Sequence, residues 1–205
     1  MTDVLDSLTR DLDWRETEIA SMRVLLSASN SSVQRKTLLR AAWAMLYAHY
    51  EGFCKEALTI YFDAIKRAEI ICSELPVSTQ AFALTAPLNL LKHSSVPDFL
   101  EGVLHFQTNY METAPVFPEV DTQSNLWPNV LSDLLVTADL NPAKVSEHEA
   151  KLKTLVGRRN EIAHGKNNLI EEVSYYLGFE QAVYDVMYDL ALQIDERLGR
   201  PPFKP

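Results

Sequence analysis

Arg159, Asn160 and His164 are the residues of this chain best equipped to grip and act on an anion, and they lie within one stretch, Ser146 to Gly165. A guanidinium is always charged and presents a fork of donors, while an imidazole changes protonation near neutral pH. Around them Leu152, Leu155, Val156, Ile162 and Ala163 recur at three- and four-residue steps, which places them on one face of a helix. Arg159 projects near the centre of that apolar stripe. Taken out of water there, its charge must be paired, or sit at the edge of a cavity that an anion or water reaches. Asn160 and His164 are four residues apart and share a helix side bordering the stripe. Arg159 and His164 are about 140° apart on a regular helix, so direct contact between them within one helix is not expected. Both reach one ligand if the arginine stem curls round or the turn at Gly165 opens the helix. A purely structural reading stands beside this one. Arg159 then pairs with a carboxylate on another helix, and His164 is a helix C-terminal residue favoured by the macrodipole before Gly165. Spacing alone favours the structural reading.

Several helices must exist to position these groups. Ser146 with Glu149 three residues on reads as a capping box, so the helix carrying Arg159 is predicted to start there. A first helix is predicted from Thr2 to about Ser29, with Leu5, Leu8, Leu12, Ile19, Met22 and Leu26 on its repeat, ended by the turn Asn30-Ser31-Ser32. A long second helix follows from about Val33 to Lys66. Its stripe is Leu39, Ala42, Trp43, Leu46, Tyr50, Phe53, Ala57, Ile60, Tyr61 and Ala64, read as core. Arg40, Tyr47 and Glu51 fall within about 40° of one another along one border of that stripe. A border carboxylate is the natural partner of a stripe-centred arginine, which predicts Glu51 near Arg159.

Between about Arg67 and Val145 the pattern weakens, and Pro76, Pro87, Pro97, Pro115, Pro118, Pro128 and Pro142 punctuate short apolar pieces. Short helices and loops are expected, including Pro97 to Asn109 and Trp127 to Thr137. After Gly165 a loop at Lys166-Asn167-Asn168 leads to a last helix from about Glu171 to Leu198, stopped by Gly199, Pro201 and Pro202. The expected architecture is all-α, an antiparallel bundle of four main helices with irregular short helices in the middle, forming one domain over residues 1–205.

Composition narrows the function. The 205 residues are 47% hydrophobic and 23% charged, ordinary for a globular chain with one sizeable core. A net charge of −9 argues against a broad nucleic-acid-binding surface, so any RNA contact is local. Lys151, Lys153, Arg158, Arg159 and Lys166 offer such a patch, although Lys151 and Lys153 also read as solvating a helix face. The two cysteines, Cys54 and Cys72, lack metal-type spacing, which points to a reducing, cytoplasmic setting without a disulfide. His93 and His105 have no ligand spacing either and read as surface or satisfied core residues. No apolar run is long enough for a membrane span, and the acidic amphipathic start is no signal peptide. No Walker loop, dinucleotide turn or nucleophile elbow occurs.

The string Arg159-Asn160-Glu161-Ile162-Ala163-His164-Gly165 resembles the signature of HEPN domains, in which an arginine and a polar residue are followed a few residues later by a histidine. Tyr47 to Ala57, reading Tyr-Ala-His-Tyr-Glu-Gly-Phe-Cys-Lys-Glu-Ala, is similar to the early helix of the prokaryotic MAE-type, RiboL-PSP-HEPN-like branch. Asp121-Thr-Gln-Ser-Asn-Leu looks like the same branch. The resemblance covers about two-thirds of the chain loosely and residues 159–165 tightly.

It implies a helical, commonly dimeric domain that is often a metal-independent endoribonuclease. RNA brings its own nucleophile, the 2′-hydroxyl, so cleavage to a 2′,3′-cyclic phosphate and a 5′-hydroxyl needs neither metal nor cofactor. In that scheme His164 moves the proton, Arg159 stabilises charge on the phosphate, and Asn160 orients the histidine or the phosphate. Glu51, Tyr47 and Arg158 support them. Arg158 also fits the loose pattern as the signature arginine, but Asn160 directly after Arg159 favours Arg159. The implied partners are RNA, a second copy of the chain whose signature faces the first, and an antitoxin or defence-system protein. The alternative is a non-catalytic HEPN module for dimerisation or for nucleotide or RNA binding.

Overall fold

The computed structural model describes residues 2–167 and 172–203, and among them every regular element is helical. Two long helices come first, α1 (Thr2–Ala28) and α2 (Ser32–Arg67). A 3₁₀ turn at Cys72–Glu74 leads to three short helices, α3 (Val77–Ala83), α4 (Thr85–Lys92) and α5 (Val96–Leu104), and then a π-helical turn at Gln107–Met111. The chain returns through α6 (Pro128–Thr137) and α7 (Ala143–Glu147) to α8 (Glu149–Ala163) and α9 (Val173–Leu198). None of the helices is long and apolar enough to cross a membrane among the described residues.

Pairwise contacts give the helix directions. Asp3 meets Arg67 and Glu18 meets His49, so α1 and α2 run antiparallel. Arg23 bonds Glu180 and Glu16 bonds Tyr188, so α1 and α9 are antiparallel too. Glu51 faces Arg159 while Arg40 faces Lys166, which sets α8 against α2 in the opposite direction. Trp43 packs on Phe179 and Tyr61 on Phe203, so α2 and α9 run parallel. The four long elements therefore alternate in direction along the chain, with α2 touching the other three.

That central position explains why α2 buries more than the single stripe its pattern predicts. Tyr47, His49, Cys54, Leu58, Phe62 and Ile65 are buried alongside Leu39, Trp43, Leu46, Tyr50 and Phe53, whereas Ile60 and Ala64 are only half-buried. Gly52 has a packing reason here. A Cβ at that position would lie 2.8 Å from Nη1 of Arg15, a buried arginine of α1 that donates to Asp11 and to the His49 carbonyl. Burial, and the neighbouring Arg15 guanidinium, push the His49 imidazole below its usual range, with Glu18 opposing them.

Proline sets where the short helices begin. Pro76 and Pro142 precede α3 and α7, and Pro97 and Pro128 occupy first-turn positions of α5 and α6, where the missing N–H costs nothing. The piece expected from Pro97 to Asn109 is broken at His105 into α5 and the π-helical turn. His93 and His105 are exposed. Cys54 and Cys72 are buried and free.

One expectation fails at the helix that carries the signature. Ser146 does not cap it. Pro142 starts α7, the Ser146 N–H is already bonded to the Pro142 carbonyl at 3.0 Å, and its hydroxyl donates to the same oxygen at 3.2 Å. The chain bends at His148, α8 begins at Glu149, and the Glu149 carboxylate pairs forward with Lys153 at 2.5 Å. The last helix starts at Val173; the predicted start at Glu171 lies outside the described residues, as does Asn168 of the preceding loop.

Candidate active site

Leu152, Leu155 and Val156 are buried and hold α8 against α2 and α9, but Ile162 is half-buried and Ala163 exposed. The last turns of α8 thus run out beyond the core. Arg159 sits at that margin. Its side chain, 30% exposed, crosses the ring of Tyr47 on α2 with Cζ 4.4 Å from the ring centre. Such a contact contributes on the order of 1 kcal/mol when partly desolvated. Nη1 donates to Oδ1 of Asn160 at 2.9 Å and to Oδ1 of Asn125 at 2.8 Å. Nη2 lies 4.0 Å from Oε2 of Glu51, close enough for attraction but beyond hydrogen-bond reach.

Tyr47 is the floor of this arrangement and is only 1% exposed. Its hydroxyl accepts the buried N–H of Leu126 at 2.9 Å. Burial pushes the phenol up to about 12; the Leu126 bond and Arg159 oppose the rise, and Glu51 adds to it. The ring is therefore neutral at any physiological pH and fixed at both ends.

Asn125 arrives from the segment before α6. Gln123 and Ser124 both adopt left-handed backbone, with φ of 53° and 66°, and Oδ1 of Asp121 accepts the Gln123 N–H at 2.8 Å. This is an Asx-type turn, which short polar side chains form readily. It sets Asn125 against Arg159 and Leu126 against Tyr47. Three well-separated stretches, residues 47–51, 121–126 and 159–160, meet at one guanidinium.

His164 occupies a different place. It is the residue just past α8, in a Schellman closure where the Gly165 N–H bonds the Ile162 carbonyl at 3.0 Å and the Lys166 N–H bonds the Glu161 carbonyl at 2.9 Å. Gly165 supplies the left-handed residue this closure needs, with φ of 74°. Arg40 of α2 then ties the turn down, its Nη1 donating to the Lys166 carbonyl at 2.5 Å. The His164 side chain is exposed, and no side-chain bond joins it to Arg159 or Asn160 among the described residues. Arg158 points along the helix to Oε2 of Glu161 at 3.4 Å, and Lys166 reaches the other oxygen of the same carboxylate at 3.9 Å.

Of the residues expected at the site, Arg159, Asn160, Tyr47 and Glu51 are brought together, while His164 and Arg158 stand apart from that cluster. Asn160 turns its carboxamide oxygen to the arginine rather than to the histidine. Asn125 was not among the candidates, although the run containing it carried a family resemblance. Arg40 shares the helix flank of Tyr47 and Glu51, which was the available signal for its place beside the turn.

A model of the MAE_28990-like HEPN family matches residues 4–203, a span that includes every residue of the arginine cluster and the turn at His164. No curated protein and no solved structure matches the chain.

Proposed function

The chain belongs to the MAE_28990-like HEPN family, and from that premise we propose that it is a metal-independent endoribonuclease acting in a toxin–antitoxin or phage-defence setting. The observation that carries this reading is the guanidinium of Arg159. It is oriented by hydrogen bonds to neutral partners, has its nearest carboxylate 4.0 Å away, and is partly exposed to solvent. A phosphate oxyanion is the ligand such a group serves.

In the reaction, the 2′-oxygen of RNA attacks its own phosphorus and the bond from phosphorus to the 5′-oxygen breaks. One proton leaves the 2′-hydroxyl and one reaches the 5′-oxygen, so no water is consumed and a 2′,3′-cyclic phosphate results. His164, exposed and with its imidazole uncommitted to the arginine cluster, carries one of these protons. Its distance from Arg159 around the helix supports a dimer in which the arginine of one protomer serves the histidine of its partner.

A non-catalytic binding module is the second reading, favoured by the net charge of −9 and by Glu51 beside the arginine. Incubating wild type and His164→Ala with total RNA in EDTA separates the two. Cleavage by wild type alone, with cyclic-phosphate ends, is the expected result. Saturable nucleotide binding with no cleavage by either protein would favour the module.

A further inference from the structure

Arg159 is anchored through one nitrogen only, and that fixes which edge of the guanidinium remains for a ligand. Nη1 carries two hydrogens and faces two acceptors, Oδ1 of Asn125 at 2.8 Å and Oδ1 of Asn160 at 2.9 Å. The Tyr47 ring covers one face. Nε and Nη2 make no hydrogen bond among the described residues, and the nearest acidic oxygen to Nη2 is 4.0 Å away on Glu51. Two grips are open to a free guanidinium, end-on through both terminal nitrogens or side-on through Nε and Nη2. Here the first would break two formed bonds, while the second costs none of them.

We infer that Asn125 is a positioning residue that saturates Nη1 of Arg159 together with Asn160, so that a tetrahedral oxyanion is gripped side-on through Nε and Nη2. The identification of that oxyanion as the scissile phosphate rests on the ribonuclease reading; the grip itself does not. Asn125 sits outside the signature, on a turn built by left-handed Gln123 and Ser124 and moored by the Leu126 N–H on Tyr47. Asn160 alone, one residue from Arg159, cannot fix the plane of the fork, because both ride on the same helix end. The second anchor, from another part of the chain, supplies the reference point.

The test follows the arginine side-chain nitrogen signals of the labelled full chain by NMR while inorganic phosphate is added. The wild type is expected to show slow rotation about the Cζ–Nη1 bond of Arg159, and phosphate is expected to shift Nε and Nη2 but not Nη1. Asn125→Ala should release that rotation and spread the phosphate shifts over both terminal nitrogens. Asn125→Asp keeps an acceptor in place and should restore the slow rotation. In RNA cleavage Asn125→Ala should lower kcat by about ten- to a hundred-fold, the scale of a misplaced catalytic group, with KM changed little. Asn125→Asp should raise KM through charge repulsion and leave kcat below wild type, because its carboxylate offsets part of the guanidinium charge while still fixing its orientation. Phosphate shifts at Nη1 in the wild type, or no shift at any Arg159 nitrogen, would overturn the inference. So would an Asn125→Ala protein with wild-type rotation, or an Asn125→Asp protein that rotates as freely as the alanine variant. If Asn125→Ala does not fold, the wild-type titration and Asn125→Asp still decide. A wild type that cleaves no RNA removes the enzymatic reading and leaves the phosphate titration to judge the grip.

Discussion

At Arg159 the orienting groups are dipoles and an aromatic face, with the nearest carboxylate 4.0 Å off. A carboxylate in bidentate contact would hold the fork equally well but would neutralise it, leaving little charge for a ligand. Carboxamides fix direction without that cancellation. Tyr47 contributes twice, through its ring beneath the guanidinium and through its hydroxyl on Leu126, and the two contributions can be separated. Tyr47→Phe keeps the ring and strands the buried Leu126 N–H. The expected loss is about 1–3 kcal/mol of stability, the cost of an unsatisfied buried donor, read as a lower urea midpoint with an unchanged slope. Cleavage per folded molecule should fall only as far as the 121–126 turn shifts. A Tyr47→Phe protein as stable as wild type would mean that water replaces the hydroxyl.

Among the helices, the end of α8 is where backbone geometry and site coincide. Gly165 adopts φ of 74°, and a Cβ there would meet nothing within 4 Å, so the whole penalty of Gly165→Ala is backbone strain. About 1–2 kcal/mol is expected from equilibrium unfolding, the usual cost of left-handed backbone for an ordinary residue. Because the same closure sets His164 and receives Arg40, activity should drop by more than the loss of folded protein accounts for. Equal losses would mean that the turn is only a helix stop. The long helices were legible in the sequence because α1, α2 and α9 carry apolar residues at helical spacing over many turns, and α8 because Leu152, Leu155 and Val156 bury its face. Their directions and the burial of Tyr47 were not, since those depend on α2 being packed on three sides. The Ser146 capping box misled because Pro142 had already nucleated a helical turn upstream. Asn125 was hidden for a different reason: residues 123 and 124 take left-handed backbone without being glycines, so the turn that aims it has no glycine mark.

On the scale of the whole molecule, the net charge of −9 disfavours an anionic ligand in general, and Arg40, Arg158, Arg159 and Lys166 lie together near the end of α8. One protomer offers there an arginine and a histidine that do not share a helix face. If a two-fold axis brings two such ends together, each complete site draws Arg159 from one chain and His164 from its partner. That arrangement predicts a particular result on mixing two inactive proteins. In a heterodimer of Arg159→Ala with His164→Ala, one composite site lacks both groups and the other has both intact. Random exchange makes half the dimers mixed, each with one working site of two, so about one quarter of wild-type cleavage should return. Sites built within a single chain would recover nothing, because every chain in the mixture lacks one of the two residues. The measurement is RNA cleavage after the two variants have been unfolded and refolded together, with size-exclusion chromatography confirming that dimers have re-formed. Recovery near one quarter would establish the shared site. A wholly monomeric elution with active wild type would rule it out and require Arg159 and His164 to act on one phosphate from the same helix end.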